Sequence, residues 1–302
     1  MARFDFRTDN DFTNPKKFVL SVVGQGFVGK HLADWLEERG FRVIRIDKDS
    51  NKKLYKTADI FFVCVPTPTR NLGFDGSIVA GVLAEIPEGS LVCIRSTVPP
   101  DFLMNLVKAF PSLVITHVPE FLDASNAKQD TESPRKLIIG ADVGDGCEYE
   151  IHQLLHEILP NPADEEKIQY CELEEAAFVK YASNGFFMVK NVYFNLLADI
   201  AHKKGWNFED IRAGVAMDDR IGHVHTNPVD KGGRGAGGPC LPKDFAVLAN
   251  IMVNLYPIDY QYGCVTNHKI TFFKEVQDLN FYNLLLSGKD PEIRQEVYGK
   301  KS

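Results

Sequence analysis

No stretch of the 302-residue chain approaches the ~20 consecutive apolar residues that a membrane-spanning helix needs. The longest runs, such as Ile60 to Val65, are of buried-strand length. The first 17 residues, MARFDFRTDNDFTNPKK, hold no apolar signal core, so neither a membrane span nor a secretory leader is expected. Positive charge is in short supply: 34 Lys and Arg against 41 Asp and Glu leave a formal charge of −7. That balance argues against a general partner role with nucleic acid or an anionic membrane, which would require a basic surface. Patterned cysteine is also lacking. Cys64, Cys93, Cys147, Cys171, Cys240 and Cys264 are scattered, with no C-x-x-C pair. This fits a reducing, cytoplasmic setting better than a disulfide framework, and makes each thiol first of all a small buried hydrophobe. Repeats and low-complexity tracts are missing as well.

What is present is an alternation. Short apolar runs at Phe18–Val23, Phe41–Ile46, Ile60–Val65, Leu91–Ile94, Leu113–Ile115 and Leu137–Ile139 are separated by helical patterns such as Lys30–Arg39 and Phe102–Ala109. Strands of this kind read as a parallel sheet covered on both faces. From about Glu172 the texture changes. Glu172–Lys204 has no proline and only Gly185, and Phe178, Tyr181, Phe186, Val189, Val192, Leu196 and Ile200 recur at helical spacing. One long helix is predicted there, stopped by Gly205. Further helices are predicted at Asn207–Ala216, Lys243–Leu255 and Asn267–Leu286, and a polar, frayed tail after Ser287. The glycines of Lys231–Pro239 mark a loop of unusual backbone angles.

Gly24-Gln25-Gly26-Phe27-Val28-Gly29 is a G-x-G-x-x-G turn placed after a strand and before a helix. Its glycines serve the tight turn, close approach to a pyrophosphate, and helix–strand packing, and the helix N-terminus faces the phosphates. Asp47 ends the next strand, 23 positions after Gly24, where a carboxylate accepts bonds from the adenosine ribose. An acid there favours NAD over NADP. Lys48 and Lys52 weaken that preference. The fold expected is α/β, a Rossmann-like doubly wound parallel sheet followed by an all-helical domain with one long helix. The boundaries are 1–170 for the NAD-binding domain, 171–290 for a helical central and dimerisation domain, and 291–302 for the tail.

Two further features carry chemistry. Lys180 and Asn184 are four apart on the long helix and share a face, where an ammonium can steady a developing alkoxide and an amide can orient it. Gly235-Ala236-Gly237-Gly238-Pro239-Cys240-Leu241-Pro242-Lys243-Asp244 sets a cysteine between a glycine loop and a helix start. The helix end and Lys243 are expected to favour the thiolate, which can attack an aldehyde. His152 and His156 are an i, i+4 pair without a third ligand, so no metal site is expected. His223 and His225 are read as loop histidines. The aromatic stripe Phe178, Phe186, Phe187, Tyr193, Phe194 is read as core or dimer interface.

VVGQGFVG, CVPTPT, RSTVPP, HVPEFL, KYASN, DDRIG and GAGGPCLPKD occur in the order seen in the UDP-glucose/GDP-mannose dehydrogenases, and the chain resembles that nucleotide-sugar 6-dehydrogenase family from Phe18 to Asn250. The resemblance implies oxidation of a primary alcohol to a carboxylate with two NAD. It makes Cys240 the nucleophile that carries a thioester, Lys180 the oxyanion-stabilising lysine and Asn184 its partner. It makes Glu120 the carboxylate that activates the hydrolytic water, Asp244 and Thr97 residues that orient water, and Arg220 an arginine reaching a sugar across a subunit boundary. The cofactor site expected comprises Gly24, Gly26, Phe27, Val28, Gly29, Asp47, Lys52, Val65, Pro66, Thr67, Pro68, Ser96, Thr97 and Lys243. The substrate site expected comprises Glu120, Phe121, Leu122, Lys180, Asn184, Arg220, Gly235 and Gly237. A homodimer acting on a small-molecule nucleotide sugar is implied.

The chain departs from that pattern in several places. Only 18 positions separate Asp47 from Val65, so the sheet is expected to be trimmed by about one βα unit. Ala124 stands where the family has a second glutamate, and Pro239 where it has serine. Some 50 residues follow Asn250, too few for the family's second, nucleotide-binding domain, so a truncated form is expected. Two alternatives stay open: a two-electron β-hydroxyacid dehydrogenase, which also uses Lys-x-x-x-Asn, and a non-catalytic NAD-binding protein.

Overall fold

The computed structural model describes residues 14–142, 147–230, 232–255 and 263–299. The first 13 residues, Lys231, the Lys300-Lys301 pair and the Cys264 side chain lie outside the described residues. The strands are β1 (Val19–Val23), β2 (Arg42–Ile46), β3 (Ile60–Val63), β4 (Thr69–Arg70), β5 (Gly73–Phe74), β6 (Leu91–Ile94), β7 (Val114–His117), β8 (Leu137–Ala141), β9 (Ile168–Cys171), β10 (Val229–Asp230) and β11 (Gly233–Arg234). The helices are α1 (Phe27–Glu38), α2 (Ser77–Leu83), α3 (Pro100–Ala109), α4 (Ala127–Glu132), α5 (Glu148–Ile158), α6 (Leu173–Lys204), α7 (Phe208–Ala216), α8 (Leu241–Leu255), α9 (Gly263–Ser287) and α10 (Pro291–Glu296).

The chain divides into two compact units. The first runs to Thr67 and resumes over Gly76–Lys180; the second holds Pro68–Asp75 and the described chain from Tyr181 onward. The first unit is a seven-stranded sheet of order β2-β1-β3-β6-β7-β8-β9, Rossmann-like in its first half. Strands β3, β6 and β8 are buried on both faces, whereas the edge strands β2 and β9 are partly exposed. Leu32, Leu36, Leu154 and Leu155 of α1 and α5 pack on Leu20, Val22, Ile60 and Phe62. β2 is an edge strand, and one 3-10 turn, Lys52–Thr57, joins it towards β3. The outermost strand of the usual 3-2-1-4-5-6 order is therefore missing among the described residues, in the interval where the short Asp47–Val65 spacing left no room for it.

The sheet is mostly parallel, as expected, with one reversal among its described strands. β8 runs antiparallel to β7 and β9 parallel to β8. Most of the chain between β7 and β8 goes into turns around Glu120 and Asp123, leaving α4 only six residues. A parallel return would need a crossover helix long enough to retrace the strand.

α6 begins in the first unit, where Gly140 of β8 admits it: a Cβ on Gly140 would lie 2.5 Å from Ala176 Cβ. The helix stops as expected at Gly205, whose left-handed φ of 68° closes a Schellman turn, with Gly205 N donating to His202 O and Trp206 N to Ala201 O. In the second unit α8 and α9 pack with α6 around Met188, Val192, Phe245 and Val276. The hairpin β4–β5 belongs to this unit as well: Asn71 N and Leu72 N donate to Glu296 O and Val297 O. The described residues after Ser287, 288–299, are not frayed. They form a turn and α10, and Val297 and Tyr298 are buried against Ala246, Phe281 and Leu284.

Candidate active site

In the first unit the three glycines of the β1–α1 turn have different reasons to be glycine. Gly24 sits at φ 91°, and a Cβ there would lie 2.4 Å from Cys64 O. A Cβ on Gly29 would lie 1.9 Å from Gly24 O. Gly26 has nothing within 4 Å and an ordinary φ of −69°. The protein itself does not demand glycine at position 26; a ligand that must come close to the backbone does. Gly26 caps α1, so the unpaired N–H groups of the first turn, at Phe27, Val28 and Gly29, face that space. The turn therefore fits the pyrophosphate of a dinucleotide. Asp47 is exposed at the end of β2, with Oδ1 accepting from Lys48 N at 2.9 Å. Lys52 is engaged in a surface ion pair with Glu85. The Ser96 hydroxyl accepts from Val65 N at 2.9 Å and lies 2.8 Å from Val65 O, so it staples the end of β3 to β6. Thr97 follows it, half-buried.

Glu120 sits just beyond β7, and its carboxylate is heavily bonded. Oε2 pairs with the buried Arg95 guanidinium, and Oε1 accepts from Phe121 N at 2.8 Å and Leu122 N at 3.1 Å. This fixes the Phe121 ring, over which Lys136 Nζ stands at 4.0 Å and Lys180 Nζ at 5.3 Å from the centroid. Burial, then repulsion from Lys180, pushes the Lys136 ammonium down from its ordinary value. Arg95 and Lys136 were missed by sequence reading, because a lone basic residue next to a strand gives no signal until its partner is known.

In the second unit Asn184 and Asp244 are buried together. Asn184 Nδ2 donates to Asp244 Oδ2 at 2.6 Å, and Lys243 Nζ bonds Asp244 Oδ1. Lys243 is thus directed to the carboxylate. Cys240 lies immediately before α8, its carbonyl accepting from Asp244 N at 2.9 Å, and it is exposed. Cys93 and Cys147 are buried, and Cys64 and Cys171 half-buried. Burial pushes Cys64 and Cys93 up to about 12 and Cys171 to about 11, so those thiols stay protonated. Tyr181, fully buried, is also raised, by burial and then by Asp244.

Other expected residues land elsewhere. Arg220 is 89% exposed on its side chain and bonded to Asp218 in its own turn, so it does not join the Asn184–Asp244 group. Gly235 and Gly237 have packing reasons to be glycine: Cβ atoms there would lie 3.1 Å from Asn280 Oδ1 and 2.0 Å from Asp290 Oδ2. His156 Nδ1 lies 2.6 Å from Tyr170 OH, and the His152 ring is 5.0 Å from the same tyrosine. The His225 ring packs on Phe187 at 4.6 Å.

Comparison with known proteins is consistent with this geometry. Residues 50–158 match the NAD binding domain of the UDP-glucose/GDP-mannose dehydrogenase family and residues 174–261 its central domain. A UDP-glucose 6-dehydrogenase of Rickettsia conorii is 32% identical over 208 residues, 66% of this chain and 46% of that protein. The chain thus spans about half the length of such relatives. Among solved structures, a UDP-glucose dehydrogenase from Pyrobaculum islandicum superposes with a TM-score of 0.71 at 24% identity, over 88% of this chain and 68% of that one. A 3-hydroxyisobutyrate dehydrogenase from Mycobacterium tuberculosis does so with a TM-score of 0.62 at 14% identity, over 87% and 94%. These two likenesses show the fold alone. The glycine turn and the matched domain make NAD the cofactor, and the two matched domains, in order along one chain, make this protein a member of the UDP-glucose/GDP-mannose dehydrogenase family.

Proposed function

We propose that the chain carries the cofactor and catalytic parts of a cytoplasmic NAD-dependent dehydrogenase that oxidises a nucleotide-sugar primary alcohol to a carboxylate. The observation that carries this reading is the exposed Cys240 at the start of α8, beside the buried Asn184–Asp244 pair. A plain two-electron dehydrogenase has no use for such a thiol. The Gly26 turn and Asp47 would hold NAD, which would supply the hydride acceptor, one molecule for each of the two oxidations. Lys180 would stabilise the alkoxide as the alcohol loses its proton, with Asn184 orienting the oxygen. The Cys240 sulfur would add to the aldehyde carbon, forming a C–S bond and a thiohemiacetal whose oxidation gives a thioester. Water would then break that bond, releasing acid and thiol. Thr97 and Asp244 would orient the water. The three bonds to Glu120 suit it to anchoring the Phe121 turn.

Incubation of the full chain with NAD and a panel of nucleotide sugars tests this. Two NADH per substrate, with the second oxidation lost in Cys240→Ala, are expected; one NADH with release of a carbonyl compound would refute it. The β-hydroxyacid reading is the second one. Its support is the Lys180-x-x-x-Asn184 spacing on α6, which such enzymes also use. It predicts turnover with Cys240→Ser nearly silent and Lys180→Ala inactive. A homodimer is part of the proposal. Phe186, Tyr193 and Ile200 are exposed at intervals of seven along α6, an apolar seam suited to a second helix.

A further inference from the structure

The Schellman turn ending α9 reverses the chain against the loop that precedes Cys240. Gly288 N donates to Leu285 O and Lys289 N to Leu284 O, with Gly288 at φ 71°. The next two side chains then reach the loop backbone. Lys289, buried, donates from Nζ to Gly235 O at 2.9 Å and Gly233 O at 3.4 Å. Asp290, itself left-handed at φ 45°, accepts from Gly238 N at 2.8 Å, two residues before the cysteine. Ser287 Oγ accepts from Arg234 N at 2.9 Å.

The glycines report the same contact. Cβ atoms on Gly233 and Gly237 would lie 2.6 Å from Lys289 Cβ and 2.0 Å from Asp290 Oδ2. Two of the loop's glycines are therefore set by this turn. The far end of the segment is held as well, through α10 and the carbonyls of Glu296 and Val297 that accept from the β4–β5 hairpin. Burying an ammonium and half-burying a carboxylate on loop backbone costs desolvation that an apolar turn would avoid, so the polar design serves to fix backbone direction rather than to add stability.

We propose that Lys289 and Asp290 are positioning residues, and that the Ser287–Asp290 turn holds the Gly233–Gly238 loop in the conformation that presents Cys240 at the N-terminus of α8. The proposal rests on reading Cys240 as the nucleophile, and deepens that reading.

The test is iodoacetamide alkylation of Cys240 in the full chain, followed by peptide mass spectrometry from about pH 6 to about pH 9, since thiolate fraction sets the rate. Lys289→Met keeps the aliphatic stem and removes the donor. Asp290→Gly removes the acceptor while keeping the left-handed backbone. Asp290→Asn keeps both an acceptor and that backbone. In Lys289→Met and Asp290→Gly, assayed well below their Tm, the rate should change by about fivefold or more and its pH profile should move. Asp290→Asn should stay within about twofold of wild type, as expected for a retained bond. Folded Lys289→Met and Asp290→Gly that alkylate with the wild-type rate and pH profile would overturn the proposal. Should Lys289→Met not fold, the Gly–Asn comparison at position 290 decides. Alkylation needs no turnover, so a protein that reduces no NAD with any nucleotide sugar would sink the dehydrogenase reading and leave this result standing.

Discussion

Gly26 and Gly29 occupy one motif three residues apart, yet substitution should separate them cleanly. Gly26→Ala meets open space and exchanges one helix cap for a poorer one, so stability should fall by at most about 1 kcal/mol. NAD affinity, measured by calorimetry, should drop about tenfold or more, because the new methyl stands where the pyrophosphate approaches. Gly29→Ala drives a Cβ into rigid backbone at Gly24 and should cost about 3 kcal/mol in denaturant melts. His117 supplies a pH signature. Burial, with help from Arg95, holds its imidazole down at about 3, so the folded state keeps it neutral while the unfolded chain takes up a proton below the ordinary 6.5. Its contribution is complete above pH 6.5 and is lost as pH falls from there towards 3. Over that window wild-type stability should decline by up to about 1.4 kcal/mol per pH unit from this group. In His117→Phe the urea midpoint should fall less steeply over the same window; an unchanged slope would refute the assignment.

At the scale of elements, a buried amide of α9 is one of the holds on the cysteine loop. Asn280, fully buried, accepts from Ala236 N at 2.7 Å and donates to Ala236 O at 3.0 Å, completing the pairing that a sheet would otherwise provide. Asn280→Ala strands both backbone groups and should cost about 2–4 kcal/mol in thermal or chemical unfolding. The helices themselves could be read from spacing and from glycine stops: α6 was predicted to begin near Glu172 and end at Gly205. The reversal at β8 could not be, because an apolar strand carries no mark of its direction. Nor could the hairpin of Pro68–Asp75, whose Asn71 and Leu72 are held left-handed by partners more than two hundred residues away.

At the scale of the molecule, the exposed seam on α6 is the feature with the clearest consequence. Phe186 is 63% exposed in the single chain, a large apolar surface to leave in water. Phe186→Glu, or Tyr193→Glu one heptad on, should weaken the proposed dimer about tenfold or more, read by light scattering across concentrations. A wild-type protein that is monomeric at every concentration would remove the dimer from the proposal.

The residue string alone determined the alternation of strands and helices, the glycine turn with its acid at position 47, the long helix and the glycine loop that leads into the Cys240 helix start. Each of these is written in local spacing, and local spacing is what dihedral preference and periodicity convert into structure. Only the tertiary structure decided that Arg95 claims Glu120, that Asn184 meets Asp244, and that a polar stretch after Ser287 folds back onto the cysteine loop. Those outcomes depend on which distant partner a buried charge finds. Desolvation makes that choice, and it is not written in any stretch of neighbouring residues.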